Sequence, residues 1–187
     1  MPRGLIIVAR HPRALLGARI CHGRTDAPLA EPADLGAERL LAALDRPGYT
    51  ERIDRIISSP LIRALDVARA VAARTGAPLH ADDRLTDQDF GTWEGQPWSA
   101  LPRTETIAWE ADPIQIAPGG GENVATMLRR LRHAWTRLAS SEDTTLVITH
   151  ATPMQCLLHI ATGLKLTEAL ARSIPFGATI RLDAAPA

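Results

Sequence analysis

The sequence has few cysteines, no long apolar run and no excess of charge of either sign. Only two of its 187 residues are cysteines, Cys21 and Cys156, and they form neither a CxxC pair nor a cysteine and histidine cluster with metal-ligand spacing. This usage excludes a disulfide framework and favours a reduced, cytoplasmic protein. No stretch approaches the roughly 18 apolar residues that a membrane-spanning helix needs, so we expect no association with a membrane.

Charged residues balance, with 21 basic and 21 acidic side chains. The chain as a whole therefore has no field that attracts nucleic acid, and we expect no nucleic-acid partner. All but one of the basic residues are arginines, Lys165 being the exception, and the forked guanidinium group suits the recognition of oxyanions. A length of 187 residues with 45% hydrophobic composition predicts one globular domain, residues 1–187, around a well-buried core.

Short β-branched runs alternate with helical patterns along the chain. The runs are nearly continuous, as in strands that are covered on both faces, and they occupy residues 4–10, 52–59, 143–150 and, more weakly, 177–184. This alternation predicts an α/β fold, a three-layer α/β/α sandwich with a mostly parallel sheet. Residues from about 92 to 121 interrupt it with four prolines and three successive glycines, and we expect a lid-like insertion there.

Turn and capping residues predict where two of the helices begin and end. Ser59 and Thr152 each stand directly before a proline, the pattern of an N-cap followed by proline in the first helical turn. Gly76 and Gly163 are predicted to end these two helices.

Cationic and imidazole side chains follow three of the predicted strands. Arg10 and His11 end the first strand, Arg63 lies in the first turn after the second, and His150 ends the third. Ligands of open parallel sheets bind outside the carboxyl ends of the strands, so we expect these four side chains to meet. Each residue alone has an ordinary structural explanation, but burying all four without an anion would be costly. A phosphate dianion is the ligand that this combination favours.

His11 is the candidate nucleophile in such a pocket. It can attack phosphorus only through an unprotonated nitrogen, and the nearby arginines lower the imidazole pKa because like charges disfavour the imidazolium. Arg10 and Arg63 would bind the phosphoryl oxygens in pairs of hydrogen bonds, and His150 would donate to another oxygen. Pro12 disfavours helical geometry at His11 and keeps it extended at the strand end. Water would then hydrolyse the phosphohistidine.

An acidic stretch offers candidates for the proton donor that a leaving alkoxide needs. A carboxyl group beside a bound phosphate has a raised pKa and can act as a general acid near neutral pH. The candidates are Asp82, Asp83, Asp87, Asp89 and Glu94. Their spacing does not choose among them, and a solvated acidic loop explains the stretch equally well.

Other kinds of site are not indicated by the sequence. It lacks the G-x-x-x-x-G-K-[ST] loop of nucleotide triphosphate sites, the G-x-S-x-G nucleophile turn and the HExxH spacing of zinc sites. The glycines at 119–121 do not follow a strand as a dinucleotide-binding loop does. We therefore expect neither a metal nor a cofactor.

Together, "ARHP", "CHGRTDAPLA", "SSPLIRALDVA", "LTDQDFGTWEG", "PGGGEN" and "VITHATP" resemble motifs of the histidine phosphatase superfamily, in the phosphoglycerate-mutase-like branch that contains α-ribazole phosphatase. The resemblance covers nearly the whole chain and implies a phosphoglycerate mutase-like fold. It also implies that Arg10, His11, Arg63 and His150 form the phosphate pocket, with His11 phosphorylated during turnover.

The resemblance further implies that the acid is Asp87, where the family usually has glutamate. Aspartate is one methylene shorter, which leaves Glu94 and Asp89 as alternatives. Arg24 would contact the phosphate or the substrate at the entrance of the phosphate pocket. Glu122 would support the pocket or contact the substrate.

The function that the resemblance implies is a metal-independent phosphomonoesterase acting on a small phosphorylated metabolite, with α-ribazole 5'-phosphate as the named substrate. A phosphoglycerate mutase and a catalytically weak phospho-ligand-binding or regulatory protein are the alternatives. A homodimer is compatible with the sequence.

Overall fold

In the computed structural model, which describes residues 4–45 and 52–183, strands and helices alternate along most of the chain. The strands are β1 (Leu5–Arg10), β2 (Arg55–Ser58), β3 (Leu79–Ala81), β4 (Thr145–Thr149) and β5 (Thr179–Asp183). The helices are α1 (Ala33–Leu44), α2 (Ile62–Thr75), α3 (Arg103–Ala111), α4 (Val124–Ala139), α5 (Ala151–Thr162) and α6 (Leu166–Leu170). None of the helices within these two ranges is long and apolar enough to cross a bilayer.

The five strands form one sheet in the order β3-β2-β4-β1-β5. The first four run parallel, and β5 pairs with β1 in the antiparallel direction. The prediction of a mostly parallel sheet is confirmed. The weak run at 177–184 forms the antiparallel edge strand (its last residue lies outside the described ranges), and the three-residue β3 was not predicted.

Both faces of the sheet are covered, and the side chains of β1 pack into a hydrophobic core on each face. Ile6 and Val8 face the core that is built with α4 and α5, while Leu5, Ile7 and Ala9 face the core that is built with α1 and α2. Successive side chains of a strand point to opposite faces, so a continuous apolar run fills both layers. Each fully buried leucine or isoleucine contributes about 1.5–3 kcal/mol. The three-layer sandwich is thus confirmed.

Both predicted helix ends are confirmed, but both predicted N-caps are wrong. Gly76 and Gly163 end α2 and α5 in the left-handed conformation, with φ of 73° and 71°. α2 begins at Ile62, after Leu61 in the cap position, and α5 begins at Ala151, directly after His150. Ser59 therefore lies before its helix, and Thr152 lies inside the first turn of the other.

The segment predicted as an insertion, about 92–121, contains α3 and several short 3₁₀ turns. Its aromatic side chains pack edge to face or stacked against one another, with the ring centroids of Trp93 and Trp109 5.8 Å apart and those of Trp98 and Trp109 6.2 Å apart. The Trp93 indole N–H donates to Glu105 Oε2 at 3.2 Å. This small cluster holds the segment together beside the sandwich, and its motion as a lid stays a prediction. The single domain of residues 1–187 is also still a prediction, because both of its ends lie outside the described ranges.

Candidate active site

The register of the sheet brings three strand ends to the same level. Arg10 is paired with Thr149, and Ser58 is paired with Ile148. The residues that follow, His11, Ser59 and His150, therefore share one edge of the sheet. The rings of the two histidines lie 4.9 Å apart, centroid to centroid, and both side chains are buried.

His11 presents one lone pair to the site. Its Nδ1 lies 2.5 Å from the carbonyl oxygen of Pro12, and because a carbonyl only accepts, Nδ1 carries the proton. In the neutral ring the other nitrogen, Nε2, is then unprotonated, and it accepts the Nε–H of Arg63 at 3.3 Å. Burial lowers the pKa of His11 to about 3, and the charge of Arg63 adds to the effect. The ring is therefore neutral, with Nε2 as its nucleophilic atom.

Arg63 is fully buried and is locked by backbone carbonyl groups. It donates to the oxygen of Thr25 at 2.9 Å and to that of Gly23 at 2.5 Å. Its terminal nitrogen also lies 3.5 Å from Asp87 Oδ2. Burial lowers the pKa of Arg63, but neighbouring carboxylates, Asp87 first, act in the opposite direction. The loop at 23–25 thus fixes a guanidinium group against His11.

Arg10 is held by the segment that precedes β5. It donates to the carbonyl oxygen of Ile174 at 2.5 Å, and its guanidinium carbon lies 3.8 Å from the centroid of the Phe176 ring. Its buried Nε finds no hydrogen-bond partner among the residues that the structure describes. An unpaired buried donor costs about 1–3 kcal/mol, and an anion would relieve that cost. No motif in the sequence indicated Phe176.

His150 is fully buried and lies between Ser59 and Asp87. Its Nε2 is 2.8 Å from the Ser59 hydroxyl oxygen, which also accepts the N–H of Leu61 at 3.3 Å. The serine proton is then available to His150 Nε2, which favours a proton on Nδ1. Within the described ranges Nδ1 makes no hydrogen bond, and it lies 3.6 Å from Asp87 Oδ2. Burial, followed by the charges of His11 and Arg63, lowers the pKa of His150 well below its usual value.

The Ser59 hydroxyl therefore contacts the site as well as the backbone that leads into α2. Sequence reasoning assigned its hydroxyl to the N-cap of α2, but the hydroxyl hydrogen-bonds to the second histidine. The serine is fully buried, which is unusual for an ordinary cap at a helix surface.

Asp87 is the acidic residue that the fold brings against Arg63 and His150. Its Oδ2 lies between Arg63 and His150, and its Oδ1 accepts the backbone N–H of Gln88 at 2.9 Å. Burial raises the pKa of Asp87, and Arg63 offsets only part of that effect. A protonated carboxyl group at this position can donate to a leaving oxygen.

Two other carboxylates, the alternatives to Asp87, hold loops. Glu94 accepts backbone N–H groups of Arg24, Thr25 and Phe90 and the hydroxyl of Thr25. Burial by itself would raise the pKa of Glu94, but these hydrogen bonds lower it overall. Asp89 accepts the N–H of Gly91 at 2.8 Å and lies 3.5 Å from the guanidinium group of Arg24. Both carboxylates are thus committed to loop structure.

Arg24 and Glu122 lie together beside the site. The Arg24 side chain is 44% exposed, and its guanidinium group lies 3.6 Å from Glu122 Oε1. The Glu122 carboxylate is nearly buried and forms a two-pronged ion pair with Arg130 on α4, at 2.8 and 2.7 Å. Glu122 therefore supports the loops, and Arg24, partly exposed, lies between the carboxylates of Asp89 and Glu122. Arg130 is a residue that sequence reasoning missed.

Comparisons with known proteins identify the family of the chain. The profile of the histidine phosphatase superfamily (branch 1) matches residues 6–186. A bifunctional protein of Mycobacterium tuberculosis is 37% identical over 122 residues, which are 61% of this chain and 33% of that protein, so the chain spans about a third of the length of the first curated relatives it matches. A glucosyl-3-phosphoglycerate phosphatase of the same species is 30% identical over 142 residues, 73% of this chain and 61% of the relative.

Solved structures show the same fold. The α-ribazole phosphatase of Shigella flexneri superposes with a TM-score of 0.82 at 22% identity, over 95% of this chain and 89% of that one. The expectation of a phosphoglycerate mutase-like fold is confirmed. Since the family profile extends over nearly all of the sequence, the chain belongs to the histidine phosphatase superfamily, in its branch 1.

Proposed function

We propose that the chain is a metal-independent phosphomonoesterase that acts through a phosphohistidine on His11. The observation that carries the proposal is the neutral, buried imidazole whose unprotonated Nε2 faces the guanidinium group of Arg63. A lone pair held beside fixed positive charge suits attack on a phosphoryl group, because cations stabilise the negative charge on the phosphoryl oxygens in the transition state.

In the first step, His11 Nε2 attacks phosphorus, an N–P bond forms, and the P–O bond to the leaving group breaks. Arg10 and Arg63 bind the phosphoryl oxygens, and the Nδ1–H of His150 donates to another. The protonated Asp87 gives its proton to the departing oxygen, which leaves as an alcohol. The raised pKa of Asp87 supports this role.

In the second step, water attacks the phosphorus of phosphohistidine and gives a proton to the Asp87 carboxylate. The N–P bond breaks, and its electron pair returns to Nε2. Inorganic phosphate leaves, and both His11 and Asp87 regain their starting protonation. The same carboxyl group thus acts as acid and then as base.

Substitution of His11 tests the nucleophile. His11→Ala should lower the rate on p-nitrophenyl phosphate by several orders of magnitude, because the N–P bond can no longer form. His133→Ala is the matched control, since His133 is exposed on α4 and should keep full activity. Retention of most activity by His11→Ala would refute the proposal.

Substitution of Asp87 tests the acid. Asp87→Asn should lower kcat/KM, which reports formation of the phosphohistidine, far more on alkyl phosphates than on p-nitrophenyl phosphate, whose leaving group needs little protonation. Equal losses on both substrates would remove Asp87 from this role.

The substrate that we propose is a small phosphorylated metabolite, and α-ribazole 5'-phosphate is the first candidate. Glucosyl-3-phosphoglycerate is the second, because relatives of 30–36% identity carry that substrate in their names. A screen that measures phosphate release from both compounds and from 3-phosphoglycerate ranks them. Isomerisation of 3-phosphoglycerate without phosphate release would indicate a mutase instead. Binding of these compounds without turnover would indicate a regulatory protein.

We also propose a cytoplasmic location, which the two buried free thiols support.

A further inference from the structure

Arg130 lies on α4 and contacts the loop that carries Asp87. Its side chain is only 16% exposed, and all five of its N–H groups donate to oxygen. Two of them reach the carboxylate of Glu122. The other three reach carbonyl oxygens in one turn of the chain, those of Arg84 at 2.6 Å, Thr86 at 2.9 Å and Asp87 at 3.1 Å.

These contacts act on the backbone of Asp87, and the backbone decides where its carboxyl group lies. An aspartate side chain has two rotatable bonds, so its oxygens follow any displacement of the main chain closely. Oδ1 is further tied to the next backbone N–H, that of Gln88. The position of Oδ2 between Arg63 and His150 therefore depends on how the 84–87 loop is held.

Glu122 makes the arrangement rigid. Its carboxylate fixes the orientation of the Arg130 guanidinium plane through two parallel hydrogen bonds. Its backbone oxygen accepts the side-chain amide of Gln88 at 2.8 Å, so the residue after Asp87 is tied to the same point. Helix α4, Glu122 and the loop from Arg84 to Gln88 thus form one hydrogen-bonded unit.

We propose that Arg130 is a positioning residue that places the carboxyl group of Asp87 for proton transfer to the leaving group. The inference rests on the proposed function, in which Asp87 is the acid. Arg130 acts through the main chain and touches neither the phosphoryl group nor the leaving oxygen. Its removal should therefore affect protonation of the leaving group more than formation of the N–P bond.

The test compares Arg130→Lys with Arg129→Lys on two substrates. Lysine keeps the charge but can neither hold Glu122 in a fork nor reach three carbonyls at once. Arg129 is the matched control: it is the neighbouring residue on α4, it is exposed, and the one hydrogen bond found for it within the described ranges goes to Thr126 at 2.9 Å. The measured quantity is the ratio of kcat/KM on an alkyl phosphate to kcat/KM on p-nitrophenyl phosphate, because kcat also contains the hydrolysis of the phosphohistidine that both substrates share.

Arg130→Lys should lower this ratio roughly 10- to 100-fold, the scale on which misplacement of a catalytic group by about 1 Å acts. Arg129→Lys should leave it within about twofold. A purely structural role would lower kcat/KM equally on both substrates and leave the ratio unchanged, and that result overturns the proposal. Glu122→Gln, which weakens the fork without removing Arg130, should shift the ratio in the same direction and carries the test if Arg130→Lys does not fold.

Failure of this inference can be told apart from failure of the proposed function. In the Asp87→Asn background, Arg130→Lys should have little further effect on the ratio, because the group it positions is already gone. If His11→Ala is inactive and Asp87→Asn alters the ratio while Arg130→Lys does not, only the role of Arg130 is refuted. If His11→Ala keeps its activity, the proposed function itself is refuted.

Discussion

The lowered pKa of His11 makes the stability of the protein depend on pH in a calculable way. An unfolded histidine has a pKa of about 6.5, whereas burial and Arg63 lower that of His11 to about 3 in the folded protein. Between these values the unfolded chain binds a proton that the folded chain refuses. The stabilisation is therefore complete above pH 6.5 and is lost as the pH falls toward 3.

The size of the loss follows from the same two values. At pH 5, about 1.5 pH units below the unfolded pKa and well above the folded one, the penalty from His11 is about 2 kcal/mol at 1.36 kcal/mol per pKa unit. His150, whose pKa is also lowered by burial, contributes a loss of the same sign. Since small domains are stable by about 5–15 kcal/mol, a change of this size is easily measured.

The assay is urea unfolding at pH 8, 7, 6 and 5, comparing the wild type with His11→Gln. Glutamine is neutral throughout, so the free energy of unfolding should fall by about 2 kcal/mol more in the wild type than in the variant between pH 8 and pH 5. His133→Gln, at an exposed position, should follow the wild type. Parallel pH curves for the wild type and His11→Gln would show that His11 titrates normally, which would remove the basis for a neutral nucleophile at mildly acidic pH.

Two further substitutions probe how the site is built. Ser59→Ala leaves His150 Nε2 buried without its partner, so we expect a loss of about 1–3 kcal/mol in unfolding free energy together with a lower kcat; unchanged values of both would show that Ser59 does not orient the ring. Gly23→Ala would place a Cβ 1.7 Å from the carbonyl oxygen of Gln88 and so displace the loop whose carbonyl group holds Arg63. We expect roughly a tenfold or greater fall in kcat, and wild-type kcat in the folded variant would contradict the close approach of the two loops.

The meeting of four of the five predicted site residues follows from a general property of parallel sheets. Continuous apolar runs identify β1, β2 and β4, and their carboxyl ends face the same side, so the residues after them must be neighbours. Arg10, His11, Arg63 and His150 come together for this reason. Asp87 lies on a loop after the short β3. Because β3 was not predicted, the pattern of strands did not indicate where Asp87 would lie, and only the motif resemblance singled it out.

What the sequence did not indicate depends on contacts between distant segments. An arginine on the amphipathic helix α4 is expected to point into solvent. Arg130 instead turns inward, because three carbonyl groups and the Glu122 carboxylate accept its hydrogen bonds. Ser59 was assigned to a cap because local rules see only the next few residues, while its partner, His150, lies 91 positions away. Glu94 was an open candidate for the acid since nothing local showed that three backbone N–H groups would use its oxygens.

The contacts that hold Arg10 have a consequence for when the site is completed during protein synthesis. The carbonyl group of Ile174 and the ring of Phe176 hold a guanidinium group that left the ribosome 164 residues before the first of them. A nascent chain that has already formed β1, β2 and β4 still lacks this support. Under the proposed function, the phosphate pocket would accordingly be complete only after the segment leading into β5 has been translated and docked.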